Sequence, residues 1–271
     1  MSRLMKSALA TLCLASGLFA LDEYLPIPFR VMQIDAGFER TSISGYYQHS
    51  WENDENADPD NPFGIPVQGK FGIVENMEGS MAINYMIMDS LGKTGLDRPT
   101  LGLKYAHPVS GVGGFLGISL PLGFEDIMNS GDYATMTFGA LYGKKFPHVN
   151  VLANASYSFN TEDNQKSKID NMRLFAKPEY PVPYFTRHKQ YLGISLSAVY
   201  NFYFNNMFEG KAVDENAHLF QVVPGIYYTF TKLVAVEINT PISLSGQNQP
   251  GGQAFRMRLF FTLEEGLYNS L

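Results

Sequence analysis

The chain has 271 residues, 45% hydrophobic and 14% aromatic, with 20 basic and 26 acidic side chains and a formal net charge of −6. This acidic balance disfavours nucleic acid as a partner, because phosphate binding needs clustered Lys and Arg. One cysteine, Cys13, cannot build a disulfide framework, and no apolar run after Ala20 approaches the ~20 residues of a membrane-spanning helix.

At the N-terminus, Arg3 and Lys6 precede an apolar stretch from Ala8 to Phe19, and Ala20 is followed by the acidic Asp22-Glu23. That order predicts a secretory signal peptide over residues 1–20, cleaved near Ala20. Cys13 follows Leu12 inside the apolar stretch, which argues against lipidation. Loss of Arg3 and Lys6 takes the charge to −8 (−6 minus 2). Residues 21–271 read as one domain, and the leader from Leu21 to Arg30 is too short to plug a barrel lumen.

Beyond the leader the chain repeats one unit, a run of alternating apolar and polar residues followed by a turn. Val67, Gly69, Phe71 and Ile73 alternate with Gln68, Lys70 and Gly72, and Met81, Ile83, Tyr85 and Ile87 alternate with Ala82 and Asn84. Strands with one face in lipid and one in water look like this. The predicted strands are Met32 to Tyr46, Val67 to Val74, Ser80 to Met88, Thr100 to His107, Gly113 to Leu122, Tyr133 to Lys144, Val149 to Phe159, Ile169 to Lys177, Tyr191 to Phe202, Leu219 to Phe230, Leu233 to Ile242 and Ala254 to Leu263. Twelve is even, as a closed barrel with both termini in the periplasm requires. The fold class is all-β, a transmembrane antiparallel up-and-down β-barrel.

The turns sort by length. Glu75 to Gly79, Pro108 to Val112, Phe146 to His148 and Thr231-Lys232 fall on one side only if Ile169 to Lys177 is a strand, although its own pattern is weak. Pro178 to Pro183 is then a periplasmic turn, with Tyr180, Tyr184 and Phe185 near the interface. The outer loops are Tyr47 to Pro66, Asp89 to Pro99, Gly123 to Asp132, Asn160 to Lys168, Tyr203 to His218 and Ser243 to Gln253, all rich in turn-forming and solvated residues. In the first, Asp54, Asn56 and Asp58 have the alternate spacing of a calcium loop, but Pro59 and Ile65 stand where the glycine and the bidentate Glu belong. No regular metal site is predicted and no cofactor is called for. The loop's carboxylates, with Glu52, Glu55 and Asp60, leave a loose cation bridge to lipopolysaccharide against a simple solvated acidic loop.

Alternation also assigns the lumen. Lys70, Asn84, Lys104, Asn150, Asn154, Ser195, Ser197, Glu237, Asn239, Arg256 and Arg258 lie opposite apolar neighbours and should point inward. In the last strand Phe255, Met257, Leu259 and Phe261 face lipid while Arg256 and Arg258 face in, since an Arg on the lipid face near the midplane costs roughly 2 to 4 kcal/mol. The neighbouring strands supply Glu237 on one side and Asp35 and Glu39 on the other. Asp35, Glu39, Lys70, Lys104, Glu237, Asn239, Arg256 and Arg258 are therefore the candidates for a charged constriction that selects solutes by sign. The other reading is a structural salt-bridge cluster that fills and locks the closure seam. Small inward residues (Gly72, Gly102, Ala106, Gly117, Ser119, Gly139, Gly193) fit open space, or bends and bulges.

Two segments, Gly95-Leu96-Asp97-Arg98-Pro99-Thr100-Leu101-Gly102-Leu103-Lys104-Tyr105 and Gly117-Ile118-Ser119-Leu120-Pro121-Leu122-Gly123, resemble Gram-negative outer-membrane proteins grouped as the meta-pathway phenol-degradation transporter family. Pro224-Gly225-Ile226-Tyr227-Tyr228-Thr229-Phe230-Thr231-Lys232 resembles that family's late hairpin. The family's Gly-Asp step is Leu96-Asp97-Arg98 here, and the rest of the chain matches in pattern only. The resemblance implies a β-barrel with a transport role and carries no catalytic residues across. The run Gly252-Gln253-Ala254-Phe255-Arg256-Met257, with Leu259 and Phe261, resembles the last strand that the outer-membrane assembly machinery reads, followed by a short periplasmic tail from Glu264.

An enzyme reading needs a nucleophile beside a base. Of His49, His107, His148, His188 and His218, only His49-Ser50 sets a His next to a Ser, and adjacent strand residues point to opposite faces. The expectation is a non-enzymatic outer-membrane channel or facilitator for a small solute, hydrophobic or aromatic if the family name is a guide. Its other partners would be outer-membrane lipid and lipopolysaccharide. The alternative is a structural or surface-interaction barrel with a filled lumen and functional outer loops.

Overall fold

A computed structural model describes residues 25–47, 53–54, 61–88, 93–120, 134–160, 167–187, 190–208, 211–212, 216–247 and 249–264. Its strands are β1 (Val31–Tyr47), β2 (Asn53–Asp54), β3 (Phe63–Val74), β4 (Met77–Met88), β5 (Lys93–Leu96), β6 (Thr100–Ala106), β7 (Val112–Ser119), β8 (Thr135–Lys145), β9 (Asn150–Asn160), β10 (Ser167–Pro181), β11 (Tyr191–Phe208), β12 (Lys211–Ala212), β13 (Ala217–Thr229), β14 (Val234–Asn239), β15 (Ile242–Gln247) and β16 (Gln249–Glu264). A single helical turn, α1 (Pro183–Arg187), links β10 to β11.

Antiparallel pairing runs β1-β3-β4-β6-β7-β8-β9-β10-β11-β13-β14-β16 and returns to β1, a closed ring of twelve staves. Two staves are broken: β5 and β6 both pair with β4, and β14 and β15 both pair with β13 and β16. The extra β2 and β12 lengthen β1 and β11 as hairpins at the loop end. The seam between β1 and β16 runs from Val31↔Glu264 to Tyr47↔Gln249, with one register shift between Ile43 and Gly45.

Exposure along the staves is the reverse of a water-soluble protein. On β3, Phe71 is 48% and Val67 36% exposed, whereas Lys70 and Gln68 are only 4% and 5% exposed. Because side chains alternate across a strand, the wall shows its apolar residues outward and buries its polar ones inward. Aromatic rings band the outside at both levels. Near the loop end Tyr157 packs on Phe138 and Phe204 at 5.4 and 5.8 Å. Near the turn end Phe185 and Phe230 meet Tyr228 at 5.9 and 5.0 Å.

The weak segment Ile169 to Lys177 is indeed a stave, and a longer one. β10 continues through Pro178, opposite Val151, to Pro181, opposite Gly193, so α1 takes the place of the expected Pro178 to Pro183 turn. Proline is tolerated there because one of its two flanks needs no N–H from it. The first hairpin is also tighter than expected. Asn76 adopts a left-handed conformation (φ 61°), so Glu75-Asn76 alone make the turn and Met77, Glu78 and Gly79 join β4. The predicted strand Leu233 to Ile242 breaks at Thr240-Pro241 and resumes to Gln247. At the turn end Gly111 (φ 71°) sits so close to β8 that a Cβ would fall 1.9 Å from the Gly143 carbonyl oxygen.

The leader is not outside the barrel. Gly72 on β3 and Gly143 on β8 belong to the inward set, and the leader occupies the space where their side chains would stand: the Pro28 carbonyl oxygen lies 1.9 Å from a Gly72 Cβ and Leu25 Cδ2 lies 2.4 Å from a Gly143 Cβ. Six residues do not fill a lumen, but they cross its end. The signal peptide, His49-Ser50, Glu52, residues 55–60 and the tail from Glu265 to Leu271 lie outside the described residues.

Candidate functional site: the barrel lumen

Ion pairs line the inward face among the described residues. Lys70 meets Asp35 at 2.6 Å, Lys104 meets Glu78 at 3.7 Å and Lys177 meets Glu237 at 2.8 Å. Arg256 donates from a terminal nitrogen to Glu39 at 2.9 Å, and its Nε lies 2.8 Å from the other carboxylate oxygen. All but Glu39 are buried. Charges withdrawn from bulk water this far persist because they are paired.

Strand register explains some of these partners and not others. Glu39 lies directly opposite Arg256 across the seam, so their contact follows from pairing β1 with β16. Glu237 lies opposite Arg258, yet its carboxylate bonds to Lys177, which stands on β10 with β11 and β13 in between. Asp35 lies opposite Phe260 and turns to Lys70 on β3 instead of to the arginines. Asn84, Asn154, Ser195, Ser197 and Asn239 are all buried with the polar set, whereas Arg258 is only half-buried.

Several inward groups escaped the sequence reading. Glu78 was taken into a five-residue turn. Reading the alternation one step earlier, as Glu78, Ser80, Ala82, Asn84 against Gly79, Met81, Ile83, Tyr85, would have put it inside. Lys177 and Glu179 were missed because β10 was ended at Lys177. The full run sets Asn171, Arg173, Phe175, Lys177 and Glu179 against Met172, Leu174, Ala176, Pro178 and Tyr180, a clear two-residue period. At the turn end Tyr191 donates its hydroxyl proton to Glu179 and accepts a bond from Asn150 at 2.7 Å. A ladder of hydroxyl and amide pairs, Thr100–Ser119, Thr137–Ser158 and Thr135–Asn160, lines the opposite wall at 2.9 to 3.0 Å.

The small inward residues make room for neighbours. A Cβ on Gly139 would fall 2.4 Å from the Phe115 ring, and one on Gly193 would fall 2.7 Å from the Glu179 carboxyl carbon. Small open cavities remain among the described residues. One, of about 20 Å³, is lined by Phe175, Val199 and Val223 together with Lys177, Glu237 and Arg256. Another, of about 30 Å³, lies among Asp35, Gln68, Asn84, Asp97, Arg98 and Arg258. Among the described residues no group of three or more acidic, His or Cys side chains could hold a metal ion.

A closed, antiparallel twelve-stave barrel with an apolar exterior, two aromatic bands and a polar interior is an outer-membrane β-barrel. No protein-family model and no curated protein matches the sequence. Among solved structures, the COG4313 outer membrane channel from Pseudomonas putida F1 is similar, with a TM-score of 0.72 at 13% identity over 89% of this chain and 98% of that one. The β domain of the Bordetella autotransporter BrkA follows, with a TM-score of 0.54 at 10% identity over 86% of this chain and 99% of that one. At these identities the likeness is one of fold, and it agrees with the barrel that the family resemblance implied.

Proposed function

We propose that this chain is an outer-membrane channel for passive passage of small solutes. In this reading Asp35, Glu39, Lys70, Lys104, Glu237, Asn239, Arg256 and Arg258 line the narrow part of the path, together with Glu78 and Lys177. The observation that supports it most is the pair of open cavities bordered by ion pairs inside a barrel whose fold is shared with a known outer membrane channel. Outer-membrane lipid and lipopolysaccharide surround the wall, the assembly machinery reads β16, and no catalytic role is assigned.

Single-channel recording in a planar bilayer tests this, with an Arg256→Ala, Arg258→Ala double variant beside the native chain. Discrete openings whose ion selectivity moves toward cations in the variant are the expected result, since two inward positive charges are lost. A folded barrel silent in both forms refutes the channel. That outcome favours a filled structural barrel that works through its outer loops, a reading supported by the buried ion pairs and the occupied glycine spaces.

A further inference from the structure

We infer that the outer face of the closing seam, around Arg40, is a binding site for the phosphorylated headgroup of lipopolysaccharide. The site depends on the barrel's place in the outer membrane and is independent of the channel reading. Barrels of this class turn their short connections to the periplasm and their longer loops outward, so β1 climbs from the inner to the outer boundary. Its lipid-facing set runs Met32, Ile34, Ala36 and Phe38, and the next member is Arg40, which is exposed. Across both ladders Arg40 stands opposite phenylalanine, Phe255 on β16 and Phe63 on β3. One step below, Phe38 packs against the same two rings, at 5.7 Å from Phe255 and 6.2 Å from Phe63. The adjacent Glu39 faces inward to Arg256, and among the described residues Arg40 makes no ion pair.

Above Arg40 the same face turns polar. Ser42 is exposed and lies opposite Gln253 on β16, which is exposed as well. The climb from Met32 to Arg40, at ~3.3 Å per residue and a tilt of ~40°, is roughly 20 Å, most of an apolar band ~25 Å tall. Arg40 therefore stands where hydrocarbon gives way to headgroups, the level at which a lipid-facing arginine costs least. A guanidinium there is best matched by a phosphate, whose oxygens fit its fork of donors. Ser42 and Gln253 supply donors and acceptors for sugar hydroxyls beside it. Below them Phe38, Phe63, Phe255 and the exposed Ile65 form one apolar face across three staves. Phosphate, sugar and several acyl chains on one molecule, in the leaflet that the loop end faces, define lipopolysaccharide as the occupant and not a two-chain phospholipid.

Lipid titration of the folded barrel in detergent, read by native mass spectrometry, tests the site. The probe is a lipopolysaccharide with a short sugar chain, used intact and after removal of its phosphates, with phosphatidylglycerol as a second anionic lipid. The native chain is compared with Arg40→Gln and Arg40→Lys, each verified as folded on unheated gels. The expected result is one tightly held intact lipopolysaccharide on the native chain and at least tenfold weaker binding in Arg40→Gln. Arg40→Lys should fall between them, because lysine keeps the charge and loses the fork. Toward the dephosphorylated probe the native chain and Arg40→Gln should be equal. Equal affinity of these two for the intact probe overturns the site. Phosphatidylglycerol bound as tightly as lipopolysaccharide, with the same loss in Arg40→Gln, overturns the assigned occupant. A loss in Arg40→Gln that persists with the dephosphorylated probe overturns the phosphate contact and leaves Arg40 a structural part of the wall.

Discussion

Replacing Lys177 by alanine should unfold this barrel far more readily than its loss from a watery pore would. The Nζ of Lys177 lies 2.8 Å from Glu237, and the two side chains are only 8% and 3% exposed. At that separation the attraction is about 6 kcal/mol for an effective dielectric constant near 20, set against a desolvation penalty of several kcal/mol for each ion. The pair as a whole therefore contributes little. Deleting one member is different, because Glu237 stays buried without the base it bonds, and such losses cost roughly 3 to 5 kcal/mol. The expected loss for Lys177→Ala lies in that range, and the Lys177→Met, Glu237→Leu double variant should recover most of it. Equilibrium unfolding in urea, after refolding into lipid vesicles, measures both, with the folded band on unheated gels as a second readout. If bulk water filled the lumen at this level, the pair would behave as a surface salt bridge worth at most about 1 kcal/mol. A loss that small in Lys177→Ala would refute the argument and show a hydrated lumen.

Two further substitutions test the wall. Gly37→Ala would set a Cβ 2.1 Å from the Met257 carbonyl oxygen across the closing seam, a backbone contact that cannot move aside, so β1 and β16 must separate locally. A loss of roughly 1 to 3 kcal/mol is expected, and an unchanged unfolding midpoint would show that the seam is looser than described. Leu196→Arg puts a charge on the lipid face of β11, where Leu196 is 58% exposed, and should cost about 2 to 4 kcal/mol. Ser197→Ala, one residue along and facing inward, should change stability by less than about 0.5 kcal/mol. Similar effects at the two positions would contradict the assignment of faces.

The ion pairs explain why an interior so rich in charge is stable within this fold. The inward acids Asp35, Glu39, Glu78 and Glu237 each have a base within 4 Å, so this part of the lining presents alternating pairs instead of a band of one sign. In the channel we propose, such a lining would screen solutes by size and polarity more than by net charge. That makes the selectivity change on losing both Arg256 and Arg258 the informative quantity, since it removes two positive charges and leaves Glu39 unpaired.

Much of the architecture is written locally. A two-residue period tells which face of each strand meets lipid, and that reading needs no knowledge of the neighbours, so Lys70, Asn84, Lys104, Glu237 and Arg256 could be turned inward from the sequence. The requirement for an even stave count identified β10, whose own pattern was truncated at the prolines. The partner of each inward charge was not legible in the same way. Adjacent register names Arg258 as the neighbour of Glu237, but the closed ring curves Lys177 to within 2.8 Å of it from three staves away. The course of the leader escaped for a related reason. Leu25-Pro26-Ile27-Pro28 has neither period nor donors enough to declare a secondary structure, and only the curvature of the finished ring brings Gly72, Glu78 and Gly143 to one level beneath it. The sequence by itself determined the strand count, the faces and the membrane, because each depends on contact with solvent or lipid. The tertiary structure decided the pairing of charges and the course of the leader, because both depend on distances across a ring that exists only once the last strand meets the first.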